Sequence, residues 1–405
     1  MTVSFAPIAD QIKDATYSCY DGACGTGGML TVAQGRLNRI AEESGKKVSI
    51  HLFGQELQPE TYAIAKADMM LKGDGEEAMH IAFGSTLSND QHASRSFDFM
   101  LANPPYGKSW KVDAEKMASG KKKEILDTRF NAATEDGEPL AMIPRSSDGQ
   151  LLFLLNNISK MKQDTPLGSR IAEVHNGSSL FTGDAGSGES NARRFMIEND
   201  LVEAIISLPE KMFYNTGIGT YIWVLSHRKE DRRKGKIQLI DATGIKTPLR
   251  KNMGEKNCEL PPEQREEIVR IFMAFEESEI SKIFPNSEFG YWKGAVQQPM
   301  LDEQGNPVCD KKGRIQPDKS KNDPEIIPFN YEGGIEGFMD AEVRPYAPGA
   351  FVDPKGTKIG YELSFTKYFY KPVQLRSMEE IVADLKALEQ ETDGMLADIL
   401  GGIQG

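Results

Sequence analysis

The chain has 405 residues and is short of several things, each of which closes off a class of protein. Its four cysteines, Cys19, Cys24, Cys258 and Cys309, form no Cys-x-x-Cys pair, and its five histidines do not cluster along the sequence. Neither a zinc motif, nor any other metal site, nor a disulfide framework is expected, which fits a reducing cytoplasm. No apolar run reaches the roughly 20 residues that span a bilayer. The N-terminus, with Asp10, Lys13 and Asp14, lacks a signal-peptide core, so no membrane contact is expected. Positive charge is scarce: 48 Lys and Arg face 60 Asp and Glu, a formal net charge of −12. That balance is unfavourable for gripping nucleic acid through its phosphates unless a local patch or a partner chain does so. The candidate patches are Lys121 to Lys123, the 227–234 run (His227, Arg228, Lys229, Arg232, Arg233, Lys234) and Lys311 to Lys321, although charge runs between strands are usually solvated turns. Two signatures are missing as well. No Gly-x-Gly-x-x-Gly occurs, so a dinucleotide pyrophosphate is not the natural ligand, and no Pro-Cys pair exists for cytosine-C5 chemistry.

What is present is more specific. Asp98-Phe99-Met100-Leu101-Ala102 is a short apolar run that stops at Asn103-Pro104-Pro105-Tyr106-Gly107. Two prolines fix φ and remove two backbone donors, so the strand ends there and leaves backbone acceptors free. An amide, free carbonyls and an aromatic face suit an exocyclic amino group on a flat ring. Upstream, the strand-like Thr16 to Cys19 and Tyr20 leads into Asp21-Gly22-Ala23-Cys24-Gly25-Thr26-Gly27-Gly28 and a helical run from Met29. Strand, Gly-rich turn and helix start make a nucleotide cradle, because missing side chains let the backbone approach a ligand. A second strand, Val48 to Phe53, ends in Gly54-Gln55-Glu56, and an acid in that place can bind ribose hydroxyls. Asp21, Glu56 and Asn103 all fall at carboxyl ends of expected strands, where ligands bind in such sheets.

With this ordered trio the chain resembles the N6-adenine DNA methyltransferases, and more narrowly the methylation subunit of type I restriction-modification systems. The narrower resemblance rests on Phe213 to Ile218 with Tyr221 to Leu225, on Lys236 to Ala242, and on Ile359 to Tyr370. It implies a doubly wound, Rossmann-like α/β fold that binds S-adenosylmethionine through Asp21, Gly25, Thr26, Gly27, Gly28 and Glu56, with Ser85 contacting the cofactor's adenine after the third strand. It also implies that Asn103, Pro104, Pro105 and Tyr106 hold an extruded target adenine. Phe213, or its neighbour Tyr214, would face the base from the other side, although core packing is the favoured role for either. Implied partners are double-stranded DNA, a specificity subunit and a second methylation subunit; a nuclease or translocase subunit is left open. The same Asn-Pro-Pro-Tyr corner also serves amino-methylation of protein glutamine or of RNA, and an inactive subunit is a further alternative.

Strands are expected at 16–20, 48–53, 79–83, 97–102, 139–143, 201–207, 221–226 and 236–241, the last two paired antiparallel at one edge. Helices are expected at 29–42, 59–71, 148–161 and 189–199. The expected organisation is a catalytic domain over 1–245, an irregular Pro- and Gly-rich extension over 246–376, and a helix within 377–405 for subunit contact. Compared with the family, the chain is expected to lack an N-terminal helical domain and a Thr-Pro-Arg cofactor motif, which puts its unaided activity in question.

Overall fold

The computed structural model describes residues 2–388 except 73, 74, 215, 312, 314, 371–376 and 379. Nine runs rich in β-branched and aromatic residues assemble into one sheet. In chain order they are Ala15–Asp21 (β1), Val48–Glu56 (β2), Ile81–Phe83 (β3), Phe99–Ala102 (β4), Arg170–Asn176 (β5), Val202–Ser207 (β6), Thr220–Ser226 (β7), Lys236–Asp241 (β8) and Ser281–Pro285 (β9). Their spatial order is β9-β8-β6-β7-β5-β4-β1-β2-β3. β1, β2, β3, β4 and β5 pair in parallel, so their carboxyl ends open on one rim. β7 runs antiparallel between β5 and β6.

Helices cover both faces. Gly28–Glu43 (α1) buries Leu30, Ala33, Leu37 and Ile40, a stripe at helical spacing. Together with Ile268 and Phe272 of Pro262–Ala274 (α5), that stripe packs on Tyr17, Cys19, Phe99, Leu101, Ile206 and Val224. Strand residues alternate in facing, and the fully buried Trp223 serves the other side, its indole N–H donating to Ser179 Oγ at 3.1 Å. Gln150–Ser159 (α3) and Gly188–Glu198 (α4) lie with that side: Gln150 donates to Ser178 Oγ and Arg193 to the Ser179 carbonyl. Pro59–Lys72 (α2) connects β2 towards β3.

Three expectations need correction. The stretch 221–226 does not pair with 236–241. β8 instead lies parallel to β6, with β9 antiparallel outside it. The intervening basic run is no solvated hairpin turn, because part of it is built into the core. Arg233 is 1% exposed, lies over the rings of Phe272 (4.4 Å) and Phe275 (4.3 Å), and shares the buried carboxylate of Glu203 with Arg170. Burial lowers the Arg233 pKa to about 10. Lys229 is equally committed, to Asp200 at 2.6 Å. These cations are therefore spent on the fold rather than offered to phosphates. Second, 139–143 is no strand of the main sheet: Pro139–Ala141 only pairs with Asn131–Ala133 in a small hairpin. Third, the sheet extends past residue 245 through β9, and the later extension is not irregular.

That extension contains an antiparallel sheet in which Gly290–Gln297 (β10) lies between Asp323–Pro328 (β11) and Phe351–Tyr361 (β12). It docks on α4. Arg193 Nε donates to the Tyr361 carbonyl at 2.6 Å, and Tyr361 N–H donates to Ser190 Oγ at 2.9 Å. Residues Met1–Phe365 form one compact unit and Thr366–Gly405 a second. In the second, the described residues from Met378 to Leu388 are helical, with Ile381, Val382, Leu385 and Leu388 exposed; the remainder of the expected C-terminal helix lies outside the described residues. Among the described residues no helix is long and apolar enough to cross a membrane.

Candidate active site

Each strand of the parallel half delivers one element to the same rim. β1 ends at Asp21, whose carboxylate turns back to accept the Ala23 N–H at 2.9 Å and so shapes the Gly-rich turn. Gly25 (φ 57°) and Gly27 (φ 82°) take left-handed backbone that other residues rarely adopt, and a Cβ on Gly27 would also strike Met69 of α2. Glu56 at the end of β2 holds the turn from the other side, accepting the Gly25 N–H at 3.0 Å and the Gln58 N–H at 2.7 Å. A carboxylate has about four acceptor positions, so two remain for donors on a ligand.

Ser85 follows β3, and its hydroxyl accepts the N–H groups of Leu87 (3.2 Å) and Ser88 (3.4 Å). Thr86 beside it donates to the Gly22 carbonyl and joins the third strand end to the first turn. Arg129 fixes this loop by donating to the carbonyls of Thr86 (2.8 Å) and Leu87 (2.6 Å) while paired with Asp127 at 2.7 Å.

At the end of β4, Asn103 is exposed, and no described residue bonds its amide. Pro104 is buried, Pro105 exposed, and Tyr106 half-buried, with burial pushing its phenol pKa upward. Gly107 (φ 66°) closes the corner with its N–H on Asp148 Oδ1 at 3.2 Å. Asp148 in turn accepts from Gln150 (2.7 Å) and Ser178 (2.8 Å), and Gln150 donates to Asn176 at the end of β5 (2.7 Å). A hydrogen-bonded chain thus ties the Asn-Pro-Pro-Tyr corner to two further elements.

These pieces enclose one cavity of about 900 Å³. Glu56, Ser85, Asn103, Pro104, Pro105 and Tyr106 line it, so the acidic strand end and the amide-aromatic corner share a single chamber. Gly22 and Ala23 represent the Gly-rich turn in the wall, with Asp21 buried behind them. Gly25, Thr26, Gly27 and Gly28 lie outside the lining. Phe213 is also outside, in a turn bridged to Thr216, and Thr216 and Ile218 reach the chamber from that segment. Tyr214 is exposed beneath the Lys256 ammonium, 5.0 Å from the ring centroid. Sequence reasoning missed Thr86, Asp148 and Asn176. For Asn176 the available signal was the strand before it, hidden because Arg170, Glu173 and His175 read as surface residues.

The Asp21 carboxyl is buried, and desolvation raises its pKa from the usual 3.8 to about 8. The Ala23 N–H opposes the rise, and the charges of Glu173 and Glu56 add to it. Between those two pH values the folded chain keeps a proton that the unfolded chain has lost. Stability from this group therefore falls as pH rises across the window, by up to about 1.4 kcal/mol per pH unit. Asp21→Asn is expected to remove that slope, so that denaturant melts show the variant gaining on the wild type from pH about 5 to about 8. Parallel stability–pH curves for the two proteins would mean that Asp21 is ionised throughout.

The parallel strand ends, the Gly-rich turn and the amide-aromatic corner meet at one chamber, and a family model matches the same part of the chain. Residues 5–289 match the N-6 DNA Methylase family, and the chain belongs to that family. Among curated relatives, the type I restriction enzyme MjaIX methylase subunit of Methanocaldococcus jannaschii is 27% identical over 274 residues, covering 67% of this chain and 44% of the relative. The MjaVII methylase subunit of the same organism is 30% identical over 223 residues, 55% of this chain and 35% of the relative. The chain thus spans less than half the length of these relatives. Among solved structures, the type I restriction-modification methyltransferase subunit from Streptococcus thermophilus superposes with a TM-score of 0.55 at 24% identity, covering 70% of this chain and 53% of that one, which supports the fold.

Proposed function

We propose that this chain transfers a methyl group from S-adenosylmethionine to N6 of adenine in DNA, as the methylation subunit of a type I restriction-modification system. One observation carries the reading: the chamber that holds the ribose-binding type of acid, Glu56, also holds Asn103 to Tyr106. The donor set fits the cofactor, since Glu56 keeps two acceptor positions and the Gly22–Ala23 backbone forms bare wall. When bound, S-adenosylmethionine supplies an electrophilic methyl on a cationic sulfur.

The chain's own residues then prepare the nucleophile. The N6 lone pair is delocalised into the adenine ring, and acceptance of the two N6 hydrogens by the Asn103 carbonyl oxygen and the Pro104 backbone carbonyl favours the pyramidal amine that attacks. No covalent enzyme intermediate is needed: the amine takes the methyl as the methyl's bond to sulfur breaks, the surplus N6 proton leaves to solvent past the exposed Asn103, and positioning accounts for much of the rate. Extruding the base from a duplex costs a few kcal/mol, and stacking on Tyr106 offsets about 1–3 kcal/mol of it.

In this reading Glu56 and Ser85 touch the cofactor from the chamber wall, Asp21 and Gly25 to Gly28 shape the turn behind it, and Thr216 and Ile218, rather than Phe213, reach the chamber from the later segment. The partners are double-stranded DNA, a specificity subunit and a second methylation subunit, with a nuclease or translocase subunit as a further member, all in the cytoplasm. The relatives' names as type I methylase subunits support this assignment, and so does the acidic balance of the chain, which leaves phosphate gripping to other subunits. The test is to supply labelled S-adenosylmethionine and a specificity subunit, with duplex DNA, RNA and protein substrates side by side. Label appearing as N6-methyladenine in DNA is expected. Label confined to protein glutamine or to RNA would overturn the DNA reading, and cofactor binding without transfer to any substrate would point to an inactive subunit.

A further inference from the structure

His51 stands on β2, while Glu77 and His80 belong to the short helix Glu76–Met79 and its end, so their sequence spacing does not mark them as a set. The fold brings them together at the β2–β3 end of the sheet, outside the chamber lining. One donor atom from each lies within 4.8 Å of the other two. His51 Nδ1 is 3.7 Å from Glu77 Oε1, and His80 Nδ1 is 3.9 Å from Glu77 Oε2. Both separations are too long for hydrogen bonds, and both Nδ1 atoms are screened from solvent without a hydrogen-bond partner among the described residues. Two orphaned imidazole nitrogens aimed at one carboxylate are what a cation would satisfy together.

We propose that His51, Glu77 and His80 bind a late first-row divalent cation such as Zn²⁺, through two Nδ1 atoms and the carboxylate. Imidazole nitrogen with carboxylate oxygen is a donor set for this class of ion. Ligands about 2.0–2.1 Å from a tetrahedral ion stand about 3.3 Å apart, so donor atoms that now lie within 4.8 Å of one another need to close by up to about 1.5 Å, a side-chain adjustment. The supporting contacts already orient them. Leu52 N–H donates to Glu77 Oε2 at 2.9 Å, and the His80 ring stacks on Phe53 at 4.3 Å. The His51 side chain is 42% exposed and that of His80 26%, which gives the ion an entry path and leaves room for a water ligand. The bound ion would pin the helix before β3 onto β2, bracing the strand that ends at Glu56 and the strand that precedes Ser85.

The test uses the full chain, free of any affinity tag and stripped with chelator, titrated with Zn²⁺ by calorimetry and with Co²⁺ by visible absorption. One equivalent is expected, reversed by chelator, with a rise in the unfolding temperature and a cobalt spectrum free of thiolate charge transfer. His51→Ala, His80→Ala and Glu77→Gln should each weaken binding by at least about 10-fold. Glu77→Gln keeps an acceptor for the Leu52 N–H, so its fold should survive even if a histidine variant proves unstable. Cys309→Ser, at the exposed cysteine, should bind as the wild type does. The proposal is overturned if the wild type takes up no stoichiometric ion, if Glu77→Gln binds equally well, or if Cys309→Ser abolishes uptake.

Discussion

Asn103→Ala is expected to lower methyl transfer to DNA by about 10³-fold while S-adenosylmethionine binds with nearly unchanged affinity. The amide is exposed at the chamber wall and makes no hydrogen bond to a described residue, so the fold should tolerate its loss. In the proposed reaction its carbonyl oxygen would have its greatest effect as the amine becomes pyramidal and its hydrogens turn acidic. An interaction that strengthens only towards the transition state appears in the rate and not in ground-state affinity. Asn103→Asp retains an acceptor in the same place and should recover a measurable part of the loss. Single-turnover transfer in the complete complex, with calorimetry for the cofactor, would decide it. A rate within about 10-fold of the wild type would remove Asn103 from the chemistry.

Glu56→Ala should weaken S-adenosylmethionine binding by at least about 10²-fold. Hydrogen bonds to a charged group contribute about 1.5–3 kcal/mol each, and the carboxylate offers two acceptor positions to the ribose. Glu56 also secures the N–H groups of Gly25 and Gln58, so its removal loosens the Gly-rich turn itself. Glu56→Gln separates these roles. One amide oxygen can still hold the Gly25 N–H, and a large residual loss would then belong to the ribose contact. Calorimetric titration of the purified chain reads both variants, and wild-type affinity in Glu56→Ala would show that the cofactor lies elsewhere.

The two corners of the site were legible because each follows from local chemistry. Consecutive prolines must end a strand wherever they stand, and glycines must form a turn where left-handed backbone is required, as at Gly25 and Gly27. The parallel arrangement then follows from strands alternating with helices. β5 was not legible, because Arg170, Glu173 and His175 look solvent-facing until their buried partners are known. Arg170 meets Glu203, and Glu173 meets His175 and Asn157. The 227–234 run misled for the same reason: a cation stacked on Phe272 of α5 and on Phe275 just beyond it cannot be told from a surface cation by its neighbours in sequence. In the extension, Pro354, Gly356 and Gly360 obscured β12, although Gly360 is where the Tyr291 ring crosses the strand and no side chain would fit.

The sequence by itself determined the chemical vocabulary: an acid at a strand end, a bare turn, and an amide-aromatic corner, each set by backbone constraints within about ten residues. Only the tertiary structure decided which of them share a chamber, which charges the core absorbs, and which polar residues, such as Asp148 and Asn176, hold the corner in place. The physical reason is distance along the chain. Glu56 meets Gly25 from 31 residues away, Gly107 meets Asp148 across 41, and His51 reaches Glu77 only because a sheet edge folds a helix back on its own strand.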